Sequence, residues 1–184
     1  MNRRSFLILG VKTAVGFIMA RVTPAWAGVP SPVSGDIKPR MLSFYHTHTH
    51  ERLDITYASD GVYDPVALNK INIYLRDFRT AEVYPIDPVV LDILWTVRQK
   101  MCCDSAYEVI SGYRSPRTNK KLRNRSKGVA KRSLHMLGMA VDVRLSGQQT
   151  RTVRDCAVSL KSGGVGYYAG SNFVHIDTGR VRTW

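Results

Sequence analysis

Two imidazoles and one carboxylate suited to binding a metal stand in two short segments of the chain. His135 and Asp142 belong to the segment SLHMLGMAVD, residues 133–142, and His175 belongs to FVHID, residues 173–177. A catalytic zinc ion takes three protein ligands of these types and keeps its fourth position for water. We therefore predict that His135, Asp142 and His175 hold one zinc ion per chain, whose bound water would be the nucleophile of a hydrolase.

Each of these three residues, taken alone, also has a simpler interpretation. His135 could be an exposed loop residue, Asp142 a turn-capping acid and His175 a core histidine with satisfied hydrogen bonds. Only the complete pattern therefore favours a metal site.

The elements that must position the three residues can be read from the surrounding pattern. Alternating hydrophobicity predicts three late strands, over residues 139–145, 165–168 and 173–178. Asp142 would lie on the first of these strands and His175 on the last. His135 would lie in the loop before the Asp142 strand, where Gly138 permits a sharp approach. If the two strands are neighbours, the three side chains can converge on one ion.

The earlier part of the chain carries signals for helix starts. An N-cap residue followed by proline occurs at Asp64-Pro65, Asp87-Pro88 and Ser115-Pro116. The first two signals are followed by apolar stripes of Leu68, Ile71, Leu75 and Phe78 and of Leu91, Leu94, Val97 and Met101.

The remaining elements complete the expected fold. We predict two strands over residues 41–57, a short strand over 107–111, a basic third helix reaching about Arg125 and a fourth helix over 150–161. Helices followed by strands predict a single α+β domain with helices packed on a mostly antiparallel sheet.

The metal-ligand pattern resembles that of a known family. Ser-x-His-x-x-Gly-x-Ala-x-Asp followed by Val-His-x-Asp is similar to the zinc D-Ala-D-Ala carboxypeptidases and murein endopeptidases, which share the hedgehog-like DD-peptidase fold. The matching residues are Ser133, His135, Gly138, Ala140, Asp142 and His175. Residues 111–115, SGYRS, match a third family segment. The chain most resembles the small periplasmic murein endopeptidases exported by the twin-arginine route, including at His48-Thr49 and in residues 163–168.

This resemblance implies a function. The expected activity is that of a periplasmic zinc-dependent murein endopeptidase, which hydrolyses peptidoglycan cross-links at D-Ala–diaminopimelate bonds, diaminopimelate–diaminopimelate bonds or both. Two alternatives remain open: a DD- or LD-carboxypeptidase that trims stem peptides, and a non-catalytic peptidoglycan-binding module.

The resemblance also implies roles around the metal. Arg114 would stabilise the developing oxyanion or hold a substrate carboxylate, although a structural ion pair is the alternative. Tyr113 and Ser133 are expected to contact substrate. Several family members carry an acid three residues before the last histidine ligand, but here that position is Asn172, which cannot take a proton. Asp177 is the nearest acid, and it would act either as the general base or as a group that orients a histidine ligand.

The first 27 residues have the order of an export signal. Two arginines, Arg3 and Arg4, precede an apolar stretch, and residues 25–27, AWA, form a small-x-small cleavage site. The arginine pair predicts twin-arginine export, with an uncleaved anchor as the alternative. We expect a signal peptide over residues 1–27, a linker over 28–40 and the zinc peptidase domain over 41–184.

The charge of the chain indicates an anionic partner. The formal net charge is +13, and removal of the signal peptide would leave +9. An exported protein rarely meets nucleic acid, so we expect it to bind peptidoglycan peptide stems and to have no stable membrane span in its mature form. The basic run over residues 114–132 would either line the groove or form a solvated helix face. The sequence leaves the oligomeric state open.

Two further groups of residues have open interpretations. Cys102, Cys103 and Cys156 permit at most one disulfide, from Cys156 to one of the other two, and we prefer buried thiols because twin-arginine substrates fold before export, in a compartment that disfavours disulfides. His46, His48 and His50 would share one strand face, either as a second metal site or, as we prefer, as part of a polar edge strand.

Overall fold

The computed structural model describes residues 39–126 and 128–184. The predicted signal peptide and residues 28–38 of the predicted linker lie outside the described residues, as does Lys127. Arg40, which we assigned to the linker, is instead the buried first residue of a strand.

The described residues form eight strands and four α-helices. The strands are β1 (Arg40–His46), β2 (Arg52–Ser59), β3 (Val62–Tyr63), β4 (Tyr107–Ser111), β5 (Ala140–Leu145), β6 (Gly164–Tyr168), β7 (Phe173–Asp177) and β8 (Arg182–Thr183). The helices are α1 (Pro65–Tyr74), α2 (Pro88–Lys100), α3 (Pro116–Arg125) and α4 (Thr150–Leu160). Two short 3-10 turns cover Leu134–Leu137 and Ala169–Ser171.

All eight strands belong to one mixed sheet. Their order is β3-β2-β1-β4-β5-β7-β6-β8. The β1–β4 and β6–β8 pairs are parallel, and the other neighbouring pairs are antiparallel. The predicted α+β class and mostly antiparallel sheet are therefore confirmed. Within the described ranges, no helix combines the length and the apolar character needed to cross a membrane.

The three proline-marked helices begin where the sequence predicts. The side chains of Asp64, Asp87 and Ser115 each accept a backbone N–H from the first turn of the helix that follows. The end of α1 differs from the prediction, because the helix stops at Tyr74 and Phe78 lies in the following loop. Asp77 turns the chain there by accepting the N–H of Arg79 in a local side-chain turn.

The sheet separates an apolar core from the candidate site. Val141 and Val143 of β5 and Val174 and Ile176 of β7 pack in a core shared with helices α1, α2 and α4. Because side chains alternate along a strand, the residues between them project from the opposite face of the sheet. The positions of Asp142 and His175 therefore follow from the burial of their apolar neighbours.

Candidate metal centre

Three ligand atoms converge on that opposite face. Asp142 and His175 are direct partners across the β5–β7 pair. His135 Nε2 lies 3.1 Å from Asp142 Oδ1 and 3.1 Å from His175 Nδ1, and the latter two atoms are 2.9 Å apart. Donors about 2.0–2.1 Å from a tetrahedral zinc ion are about 3.3 Å from one another, so this spacing fits a zinc-sized cation.

His135 reaches the cluster from the 3-10 turn that precedes β5. Its Nδ1–H donates to the carbonyl of Gly112 at 2.8 Å, which leaves Nε2 free to act as a ligand. Gly138 ends the turn with a φ of +66°, and a Cβ atom there would lie 2.0 Å from the carbonyl oxygen of Pro85. The predicted sharp approach at Gly138 therefore has two causes, its left-handed backbone and close contact with another segment.

Asp142 divides its two carboxylate oxygens between the cluster and Arg114. Oδ1 faces the two histidines, whereas Oδ2 accepts a hydrogen bond from Arg114 Nη2 at 2.8 Å. The same Nη2 lies 3.2 Å from Ser111 Oγ. A bulge in β4 between Val109 and Ser111 allows Ser111 to lie opposite Asp142.

His175 is oriented by a buried acid. Its Nε2–H donates to Asp177 Oδ2 at 2.9 Å, so Nδ1 points into the cluster. Asp177 also accepts N–H groups from Gly164 and Gly179 and two hydrogen bonds from Arg182. Asp177 is fully buried on the side of the His175 ring away from the cluster. This is the geometry of an orienting carboxylate.

Burial and charge pairing act differently on the two histidines. Burial lowers the pKa of His135, although the Asp142 carboxylate opposes this shift. Burial also disfavours a charged His175, but hydrogen bonds to Asp142 and Asp177 outweigh it and raise its pKa to about 9. Although burial opposes the shift, contacts with His135 and His175 hold the pKa of Asp142 well below its usual range. Contacts with His175 and Arg182 do the same for the pKa of Asp177. Two ionised carboxylates beside His175 favour positive charge in the cluster, as a cation site requires.

A cleft of about 570 Å³ opens over the three residues. Four arginines line it: Arg79, Arg114, Arg132 and Arg182. Asp142 is the one acid among the described lining residues, and it is already paired with Arg114. The cleft is therefore suited to an anionic ligand.

Known proteins provide an independent comparison with this arrangement. The family model described as peptidoglycan L,D-endopeptidase MepK matches residues 34–184. The chain belongs to the MepK peptidase family. The proteins of Escherichia coli K12 and Shigella flexneri named peptidoglycan L,D-endopeptidase MepK are each 39% identical to it over 183 residues, covering 100% of this chain and 97% of each relative. The probable peptidoglycan L,D-endopeptidase MepK of Haemophilus influenzae is 40% identical over 185 residues, covering 100% and 95%.

Membership of the MepK family confirms the resemblance to murein endopeptidases and makes the chain a peptidase.

The two other residues expected to contact substrate differ in their position relative to the cleft. Ser133 lines the cleft next to His135. Tyr113 does not line it, because its ring is buried and stacks on Tyr84 with 4.9 Å between ring centroids.

Asn172 lies outside the cleft of this MepK-family peptidase. It occupies the turn before β7 with a φ of +52°, a conformation that asparagine tolerates well. Its Oδ1 accepts a hydrogen bond from Thr150 Oγ1 at 2.9 Å. In this structure, the residue at the family's acid position therefore has a local structural role.

The basic run contributes only part of its charge to the cleft. Arg114 and Arg132 line it, as do the less polar residues of the loop after α3. The exposed basic side chains of α3 do not: Arg117, Lys120, Lys121, Arg123 and Arg125. Both interpretations of the run are thus partly right, since its ends face the groove and the helix presents a solvated face.

The histidine run does not form the predicted strand face. β1 ends at His46, and residues 47–49 form a turn. His46 is buried with Nδ1 accepting from the N–H groups of His48 and Thr49, whereas His50 is exposed and bonded to Tyr45. Among the described residues, the only cluster of histidine, cysteine or acidic side chains that could hold a metal ion consists of His135, Asp142 and His175. The three cysteines are free thiols, but the expected burial is wrong, because Cys102 is exposed and Cys103 and Cys156 are only half-buried.

The sequence analysis missed three residues at the cleft. Arg182 and Trp184 reach it because β8 pairs with β6, and Trp184 Nε1–H donates to the hydroxyl of Tyr168 at 3.0 Å. Arg79 reaches it from the loop after α1. A two-residue strand and an irregular loop have no periodicity, so the sequence pattern held no signal for either.

Proposed function

We propose that the chain is a zinc-dependent peptidoglycan endopeptidase that hydrolyses the L,D amide of diaminopimelate–diaminopimelate cross-links. The observation that carries this proposal is the convergence of His135 Nε2, Asp142 Oδ1 and His175 Nδ1 below an arginine-lined cleft. The names of the relatives from Escherichia coli and Haemophilus influenzae support an endopeptidase that cleaves an L,D bond. A D-Ala–diaminopimelate bond is a D,D amide, so these names favour the diaminopimelate–diaminopimelate bond of the two expected cross-links.

Residues of the chain would bind the zinc ion and line the cleft in which the amide is hydrolysed. His135, Asp142 and His175 would hold the zinc ion, which when bound supplies Lewis-acid polarisation of the scissile carbonyl and activation of water. Arg114 keeps Asp142 Oδ2 occupied, and its buried Nε–H has no hydrogen-bond partner in the described protein. We infer that this charged group faces the developing oxyanion. Ser133 lines the same cleft and would contact the peptide backbone.

Asp177 is better suited to positioning than to proton transfer. Both of its oxygens already accept hydrogen bonds, and His175 lies between it and the cluster. We therefore propose that Asp177 fixes His175 in the orientation that presents Nδ1.

The decisive experiment is digestion of purified sacculi by the protein lacking residues 1–27, followed by mass analysis of the released muropeptides. We expect zinc near one per chain, hydrolysis of diaminopimelate–diaminopimelate cross-links, and loss of activity with a chelator. His135→Ala and His175→Ala should lose both zinc and hydrolysis, whereas His50→Ala, which alters an exposed histidine outside the cleft, should keep both. A folded, zinc-supplemented protein that leaves all cross-links intact would refute the proposal.

We further propose that the enzyme works in the periplasm after twin-arginine export. The support is the arrangement of Arg3 and Arg4 before an apolar stretch and a small-x-small site. Replacing both arginines by lysine in the full chain should leave the protein in the cytoplasm. Unchanged periplasmic recovery would argue for another export route.

A further inference from the structure

The loop after α1 presents an arginine at the cleft on a stacked aromatic platform. The guanidinium carbon of Arg79 lies 4.0 Å from the centroid of the Phe78 ring. The Phe78 ring is also stacked with the imidazole of His48, with 4.3 Å between centroids and 16° between planes. His48 and Arg79 both line the cleft. Stacking of this kind limits the orientations open to an arginine side chain.

A buried carboxylate ties this loop to the segment that carries Arg114. Asp77 Oδ1 accepts the N–H of Arg79 at 3.0 Å, and Asp77 Oδ2 accepts the N–H of Ser115 at 2.9 Å. Asp77 is only 1% exposed, so the link is shielded from solvent. Arg79 and the neighbour of Arg114 are thus held by the two oxygens of one side chain.

Arg79 differs from the two arginines nearest the cluster in its pairing with acidic side chains. Arg114 is paired with Asp142 and Arg182 with Asp177. The Arg79 side chain has no hydrogen bond or salt bridge to an acid in the described protein. Partial burial lowers the pKa of Arg79, the carboxylate of Asp77 opposes this shift, and the positive charge of Arg114 adds to it. A charge such as that of Arg79 at the edge of a cleft is a binding determinant for an anion.

The substrate class named above carries anions close to the scissile amide. In a diaminopimelate–diaminopimelate cross-link, the residue on the amine side keeps a free carboxylate on the carbon bonded to the scissile nitrogen. The residue on the acyl side keeps one at the end of its side chain. We propose that Arg79, held on the Phe78–His48 stack, binds one of these diaminopimelate carboxylates. The inference rests on the proposed function, and it adds a substrate-binding residue that the ligand motif does not contain.

Kinetics of purified variants test the role of Arg79. Loss of a charge-assisted hydrogen bond should raise KM for cross-linked muropeptide about 10- to 100-fold in Arg79→Gln, with kcat changed much less. Arg79→Lys should fall between wild type and Arg79→Gln, because it keeps the charge but loses the planar fork. Arg52→Gln is the matched control, since Arg52 also lies over a ring, that of Tyr45, but outside the cleft. It should keep the KM of the wild type.

Amidated substrates identify which carboxylate is bound. Amidation of the carboxylate that Arg79 binds should raise the KM of the wild type to that of Arg79→Gln and leave the KM of the variant unchanged. Amidation of the other carboxylate should preserve the difference in KM between the two proteins. An Arg79→Gln variant that behaves like wild type, or whose defect persists on both amidated substrates, would overturn the inference.

A binding measurement separates this inference from the proposed function. If the wild type hydrolyses no cross-link, the proposed function fails, and fluorescence anisotropy with a labelled diaminopimelate-terminated stem peptide still tests Arg79. Weaker binding by Arg79→Gln, but not by Arg52→Gln, would support the subsite. Equal binding by the wild type and Arg79→Gln would overturn it.

Discussion

The position of Asp177 beside His175 could be predicted from the sequence, but its role follows only from its contacts in the folded protein. Its spacing from His175 places both side chains on one face of β7, as the sequence indicates. Its role depends on its hydrogen bonds to His175, Arg182, Gly164 and Gly179. Gly164 lies on β6 and Arg182 on β8, so the two-residue spacing from His175 alone leaves the role undecided between base and orienting group.

Replacing Asp177 by asparagine should weaken zinc binding more than it harms the chemical step. The amide has one acceptor oxygen, so it cannot accept from His175 and Arg182 as the carboxylate does. Loss of such an orienting partner lowers metal affinity about 10- to 100-fold. Competition with a chromogenic chelator measures the affinity, and kcat at saturating zinc should stay close to wild type. Asp155→Asn, which removes an exposed acid beside Arg154, is the control. Unchanged zinc affinity with a large loss of kcat would instead assign proton transfer to Asp177.

His46 should make the folded protein sensitive to acid. Burial, aided by the nearby His48, lowers its pKa from 6.5 to about 4. Between about pH 4 and pH 6.5, His46 is protonated in the unfolded chain but neutral in the folded protein, so falling pH favours unfolding. The stabilising contribution is complete above about pH 6.5 and is lost by about pH 4, a change of about 3 kcal/mol.

Urea unfolding of His46→Asn at several pH values tests this sensitivity. The asparagine Oδ1 can accept the same backbone N–H groups without titrating, so the variant should lose less stability than wild type between pH 7 and pH 4. His50→Asn, which changes an exposed histidine, should follow the wild type. Parallel pH profiles for wild type and His46→Asn would contradict the prediction.

At the scale of elements, the sequence predicted what is encoded locally. The Asp64, Asp87 and Ser115 caps were recognisable because capping involves residues two or three apart. The strands of Asp142 and His175 were recognisable from the alternation of apolar and other residues in their sequences. The β4 bulge, strand β8 and the position of Phe78 were not, because each depends on a partner from a distant segment. The convergence of His135, Asp142 and His175 was therefore predictable, whereas the aromatic platform under Arg79 and the presence of Arg182 in the cleft were not.

The caps of α1 and α2 should differ in their contribution to stability. Asp64 accepts the N–H of Val66 and is exposed, so Asp64→Ala should cost about 1 kcal/mol. Asp87 caps α2 and also accepts from Thr178 Oγ1 at 2.7 Å, which joins the helix to the chain just after Asp177. Asp87→Ala should therefore cost about 2–3 kcal/mol in urea unfolding. Equal losses would show that the bond to Thr178 contributes no net stability.

At the scale of the whole molecule, charge is distributed in two ways. The cleft holds four arginines beside one acid among its described lining residues. The basic face of α3 lies outside the cleft and is exposed. The first group can bind individual anions, whereas the second contributes to the field around the protein, whose net charge is +13 over the full chain.

Salt should therefore reduce activity on anionic substrate mainly by slowing association. The Debye length falls from about 10 Å at 0.1 M to about 3 Å at 1 M, so exposed charges on α3 lose their reach while paired groups in the cluster are much less affected. We expect kcat/KM on cross-linked muropeptides to fall about tenfold between 0.05 and 0.5 M NaCl, with zinc content unchanged. Replacing Arg117, Lys120 and Arg123 together by glutamine should lower kcat/KM at low salt and flatten its salt dependence, because these exposed side chains lie outside the cleft lining and act only through their long-range charge. Steady-state kinetics across the salt series measures both effects. A variant with the same salt dependence as wild type would show that steering comes from the cleft arginines alone.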